Sequence, residues 1–125
     1  PDSGRYAEDI NVPTYKAIIK GVNEGRNGRG ALYVFGSGNG GFIDDCNYDS
    51  FASSPYTITI AAINASDAKF RYSESCSAIL ASTYSGAGKS PIYTTDVENK
   101  CTTMHTGTSA STPIASGIMA LLISA

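Results

Sequence analysis

His105-Thr106-Gly107-Thr108-Ser109-Ala110-Ser111-Thr112-Pro113 runs directly into Ile114-Ala115-Ser116-Gly117-Ile118-Met119-Ala120-Leu121-Leu122. From Thr112 onward the apolar positions Ile114, Ala115, Ile118, Met119, Leu121 and Leu122 leave almost no polar face, which predicts a helix buried at the centre of a larger core. Gly107 permits an unusual turn just before it, and Ser109 falls in the helix's first turn. A serine there has backbone N–H groups without intrahelical partners around it and the positive end of the helix dipole beneath it. Both stabilise an oxyanion forming beside its Oγ. A plain capping serine or threonine suits the same place, and residue physics alone leaves the two readings level. The stretch is not a GxSxG elbow, because Ser111 stands where that motif needs glycine.

The chain upstream supplies a sheet for such a helix. Pro13 opens a helix with Tyr15, Ile18, Ile19 and Val22 on one side and Lys16 and Lys20 on the other. The glycines and asparagines of 23–30 end it. Ala31–Phe35, a short apolar run between glycines, and Tyr56–Ile63, β-branched and apolar, predict buried strands. Ser77–Thr83 and Ile92–Thr95 are weaker strand candidates, with Ser85-Gly86-Ala87-Gly88 as the turn between them. Gly36–Ser54 reads as an irregular, acidic, glycine-rich loop. Helix, strands and a buried helix in this order predict an α/β fold, part of a parallel sheet.

Composition narrows the functional classes. The 125 residues suit one domain or a part of one, and the chain is expected to be a piece of something longer, since it ends inside the predicted last helix. Nine Lys and Arg against eleven Asp and Glu give a net charge of −2, which is no electrostatic footprint for nucleic acid. No apolar run approaches the roughly 18 residues of a membrane span. Gly36-Ser37-Gly38-Asn39-Gly40-Gly41 matches GxGxxG after a strand. A dinucleotide site would need a helix to open there. The acidic, helix-breaking Phe42-Ile43-Asp44-Asp45-Cys46-Asn47 follows instead, so the glycines are read as a close approach to the backbone around Asn39. Cys46, Cys76 and Cys101 form no CxxC pair, which disfavours zinc. They fit one disulfide plus a cysteine whose partner lies elsewhere, or equally three buried thiols. Asn64-Ala65-Ser66 is the one N-x-[ST] triplet.

These motifs together resemble one family. Gly107-Thr108-Ser109-Ala110-Ser111-Thr112-Pro113 closely resembles the nucleophile motif G-T-S-x-[AS]-x-P of subtilisin-like serine proteases. Ala110, where ordinary subtilisins usually carry Met, makes it similar to the kexin/furin group of proprotein convertases. Tyr33–Gly41 resembles that group's strand leading to an oxyanion-hole asparagine. Cys46-Asn47-Tyr48-Asp49, Tyr72–Ser77 and Cys101–Ser109 match in order and approximate spacing. Thr112 stands where the family usually has alanine. The resemblance implies that residues 1–125 are the C-terminal portion of a subtilisin-like catalytic domain, whose triad Asp and His lie upstream of Pro1. His105 then matches the histidine that merely precedes the Thr-Gly-Thr-Ser turn, and is not the general base.

Carried over residue by residue, the resemblance makes Ser109 the nucleophile and Asn39 the side-chain donor to the oxyanion. Asp49 would sit in the S1 pocket, paired with the substrate's arginine or lysine. Asp44 and Glu74 would hold a calcium ion behind that pocket, with Asp2 shared between calcium and pocket. Cys46 and Cys76 would be disulfide-bonded, and Cys101 joined to a cysteine upstream. Calcium takes six to eight hard oxygens, which these carboxylates with carbonyls and water can supply. Without the family, Asp44, Asp45 and Asp49 read as an ordinary solvated acidic loop. The implied activity is a calcium-dependent serine endopeptidase that cleaves precursor proteins after paired basic residues. Its expected setting is the Golgi and late secretory compartments, where a disulfide and a glycan at Asn64 are at home, with any membrane anchor in regions outside this chain. The competing reading is a non-catalytic, calcium-stabilised structural or binding module on the same fold.

Overall fold

The computed structural model describes residues 4–87 and 89–125; Pro1, Asp2, Ser3 and Gly88 lie outside the described residues. Helix α1 spans Val12–Gly28, capped by Asn11, whose side chain accepts from the Thr14 N–H at 3.0 Å. Its regular part gives out at Gly25, where the backbone turns extended and Arg26 and Asn27 enter the left-handed region. The breakers of 23–30 thus end the helix as their chemistry dictates.

Three parallel strands follow in the order β1-β2-β3: Val34–Gly36, Ile58–Ile63 and Ile79–Tyr84. The register pairs Val34 with Ile58 and Ile63 with Tyr84. β1 is shorter than the apolar run Ala31–Phe35 and displaced toward its C-terminal end. Pairing opens where the Ile58 N–H donates to the Tyr33 carbonyl, and it continues through Gly36. β2 is the core strand, with Thr59, Ile60, Ala61 and Ala62 all buried.

A two-stranded antiparallel ribbon, β4 (Ile92–Thr95) with β5 (Cys101–His105), leads into the last helix. β5 is a strand that sequence patterning did not predict. Its residues are largely exposed, so no apolar alternation marks it. Helix α2 spans Thr108–Ser124, starts four residues earlier than its apolar pattern, and packs across β1, β2 and β3. Its buried residues are the small ones, Thr108, Ala110, Ser111 and Ala115. The Thr83 hydroxyl donates to the Ser111 carbonyl at 2.6 Å and ties β3 to the first turns. Leu121 and Leu122 are exposed in this chain. Burial of α2 therefore belongs to its N-terminal half, the half that carries Ser109.

Two further ties brace the loops. Cys46 and Cys76 are disulfide-bonded with Cα atoms 5.4 Å apart, closing a 30-residue separation, a cross-link that typically contributes about 2–4 kcal/mol. The Tyr84 hydroxyl donates to Asp67 Oδ1 at 2.9 Å, and that hydrogen bond, with the carboxylate's charge, holds the phenol's pKa above its usual value. Tyr15 is raised as well, chiefly through its hydrogen bond with Tyr56.

Candidate active site

The parallel sheet delivers β1 and the start of α2 to one place, at the C-terminal ends of the strands. Gly107 caps α2 with φ +86°, left-handed backbone that favours glycine, and a Cβ there would also press on Asn39 Oδ1 at 3.2 Å. The turn is held from β3 by the Ser85 hydroxyl, which donates to the Gly107 carbonyl at 2.8 Å. Ser109, one residue inside the helix, is exposed, while its neighbours Thr108 and Ala110 are buried. The local sequence thus presents one hydroxyl to solvent at the positive end of a helix.

Asn39 reaches the same point from the loop after β1. Its Oδ1 accepts from the Thr108 N–H at 2.9 Å and from the Thr108 hydroxyl at 3.2 Å. A backbone N–H requires an acceptor, so the orientation of the carboxamide is settled and its NH₂ is directed away from Thr108. Thr108 was not singled out from the sequence. Its signal in the sequence was its place as the threonine of the Gly-Thr-Ser motif.

Asp49 completes the group. Its Oδ1 accepts from the Phe51 and Ala52 N–H groups at 2.8 and 3.0 Å, so the carboxylate caps the turn that follows. Asn39, Asp49 and Ser109 all line one open cleft of about 510 Å³, together with Val34, Gly38 and Thr108. Three segments distant in sequence therefore bring a hydroxyl, an amide and an acid to one cavity. His105 lines a different cleft, with Thr94, Asp96 and Met104.

Asp44 and Glu74 converge on the backbone of Gly40, one residue after Asn39. The Gly40 N–H donates to Glu74 Oε1 at 2.9 Å, and Glu74 is fully buried. The Asp44 side chain also lies against Gly40, where an added Cβ would collide with it, so a larger residue could enter only if Asp44 moved. Arg5 Nε lies 3.3 Å from Asp44 Oδ1. Two hard carboxylates at one glycine suit calcium chemically. Among the described residues, however, no three His, Cys, Asp or Glu gather in a metal-holding group. Asp2, the third acid expected from the sequence, lies outside the described residues. The Cys46–Cys76 disulfide joins the loops that carry Asp44 and Glu74, as the sequence resemblance implied. Cys101 is exposed and unbonded among the described residues.

Comparison with known proteins gives this arrangement a family. Residues 3–125 match the subtilase family. The chain is 48% identical over 125 residues to kexin of Candida albicans, covering 99% of this chain and 13% of that protein. It is 46% identical over 125 residues to kexin of Saccharomyces cerevisiae, covering 99% of this chain and 15% of that protein. With neuroendocrine convertase 2 of Drosophila melanogaster the identity is 47% over 127 residues, 99% of this chain and 19% of the relative. The chain therefore spans a fifth or less of the length of these relatives. A serine protease of Aeromonas sobria shares the fold, with a TM-score of 0.82 at 21% identity, over 99% of this chain and 29% of that one. The chain belongs to the subtilase family, a subtilisin-like group of serine proteases.

Proposed function

We propose that the protein carrying this chain is a calcium-dependent serine endopeptidase that cleaves precursor proteins after paired basic residues. The observation that carries the reading is the meeting of Ser109, Asn39 and Asp49 in one cleft. The names of relatives add support: kexin, neuroendocrine convertase 2 and, in Schizosaccharomyces pombe, dibasic-processing endoprotease, 44% identical over 124 residues.

Each residue then has a chemical task. Ser109 Oγ attacks the scissile carbonyl, and the Ser109 N–H and the Asn39 amide hold the oxyanion of the tetrahedral intermediate. The general base and its orienting acid come from the upstream half of the catalytic domain. Asp49 meets the guanidinium or ammonium of the residue before the cleaved bond, in a pocket where reduced solvent strengthens the pairing. Asp44 and Glu74, joined by Asp2, hold calcium, which would fix the pocket wall and offset the charge of the clustered acids. Secretory compartments suit the disulfide and the Asn64-Ala65-Ser66 sequon, whose asparagine is half-buried just before the turn that follows β2.

The test is hydrolysis of peptides differing only in P1, arginine against alanine, by the full-length protein across a calcium titration. Arginine should be strongly preferred and activity should require calcium. In Asp44→Asn the calcium midpoint should rise about tenfold or more, because a charged ligand becomes a neutral one, with rate recovering at high calcium. Hydrolysis indifferent to both P1 charge and calcium would overturn the reading.

A further inference from the structure

We propose that Glu74 is a positioning residue for the oxyanion donor: it clamps both peptide groups that flank Asn39. The Glu74 N–H donates to the Gly38 carbonyl at 3.3 Å, and its Oε1 accepts from the Gly40 N–H at 2.9 Å. Asn39 lies between those two contacts. The proposal rests on the reading of Asn39 as the oxyanion donor and adds a role to Glu74 distinct from holding metal.

The sequence explains why a clamp is needed. Asn39 sits in Gly38-Asn39-Gly40-Gly41, and glycine restricts the backbone least. No helix or strand fixes this segment. Residues 72–74 run beside it instead. The Gly41 N–H donates to the Tyr72 carbonyl at 2.8 Å, and the buried Ser37 and Ser73 hydroxyls meet at 3.5 Å. Ser73 Oγ also accepts from the Ala62 N–H at 3.1 Å, which fastens the 72–74 segment to the central strand. Within this lacing the Glu74 carboxylate is the side chain that holds Gly40. Glu74 has no exposed surface, so its carboxylate is held in one place against that N–H. Thr108 fixes the carboxamide of Asn39, and Glu74 fixes the backbone beneath it.

Asp44 offers the contrast. It touches the same glycine, yet its hydrogen-bonding partner is Arg5 and not the peptide groups around Asn39. Of the two acids, Glu74 is the one bonded to the peptide groups beside Asn39.

The experiment compares two conservative variants of the full-length protein at saturating calcium. Glu74→Gln removes the charge but keeps an oxygen acceptor at the same reach. Glu74→Asp keeps the charge but draws the acceptor back by one methylene. Misplacing a catalytic group by about 1 Å costs on the order of 10²-fold. The clamp therefore predicts kcat about 10–100-fold lower in Glu74→Asp with KM little changed, and Glu74→Gln above it. Affinity for a peptide boronate, whose tetrahedral adduct presents an anionic oxygen, should fall in the same order. In an Asn39→Ala background the Glu74→Asp loss should largely vanish, since coupled residues do not act additively. Glu74→Gln at or below Glu74→Asp in kcat, or full multiplication of losses in the double variant, would overturn the clamp. If Asn39→Ala alone leaves kcat unchanged, the fault lies in the oxyanion assignment; a loss there of about 10²–10³ with Glu74→Asp unaffected faults only the clamp.

Discussion

Ser109→Ala in the full-length protein is expected to lower kcat for an arginine-P1 peptide on the order of 10⁶-fold, the loss that follows when such a nucleophile is removed. A residue of catalysis, about 10³–10⁴ over water, should survive, because the oxyanion donors and substrate contacts remain. Stability should hardly move. Ser109 is exposed in the first turn of α2, the helix is capped by Gly107 without a side-chain bond, and alanine favours helix. KM should stay near its original value. A variant that folds, binds substrate and still turns over within tenfold of the original would remove Ser109 from the mechanism.

Asp49→Asn should produce the second large effect, confined to specificity. The asparagine oxygen can still accept from the Phe51 and Ala52 N–H groups, so the turn survives the change. What disappears is the charge. Truncating one partner of a buried charge pair typically costs about 2–5 kcal/mol, or roughly thirtyfold to several thousandfold. The fall should appear in kcat/KM for arginine and lysine at P1 and much less for an uncharged P1. Added calcium should not restore it, unlike Asp44→Asn. Retained preference for basic P1, or equal rescue of both variants by calcium, would show that pocket and metal acids have been exchanged.

What the sequence revealed depended on how local the signal was. The Gly107–Pro113 turn and helix are written in contiguous residues, so Ser109 at the start of α2 was legible, as was the strand feeding Asn39. β2 was legible for the same reason: its six residues are apolar or β-branched and buried throughout the middle. β5 was not, because an exposed ribbon of Cys-Thr-Thr-Met-His carries no core-facing pattern. The Cys46–Cys76 bond came from family resemblance alone, since three cysteines by themselves allow several pairings. Nothing local marks the contact between Glu74 and Gly40 either. The two stand 34 residues apart and meet only because the segment after β2 runs beside the loop after β1. The hydrogen bonds from Thr108 to Asn39 span 69 residues and were equally invisible.

The central claim is that Ser109 is an activated nucleophile in a pocket for basic residues. It is tested most directly by treating the full-length protein with a peptidyl phosphonate bearing arginine at P1 and mapping the adduct by mass spectrometry. One phosphonyl group on the peptide containing Ser109, absent in Ser109→Ala and slowed when P1 is alanine, is the predicted result. No adduct at Ser109 in protein that hydrolyses the matching arginine peptide, or labelling that persists in Ser109→Ala, would contradict it.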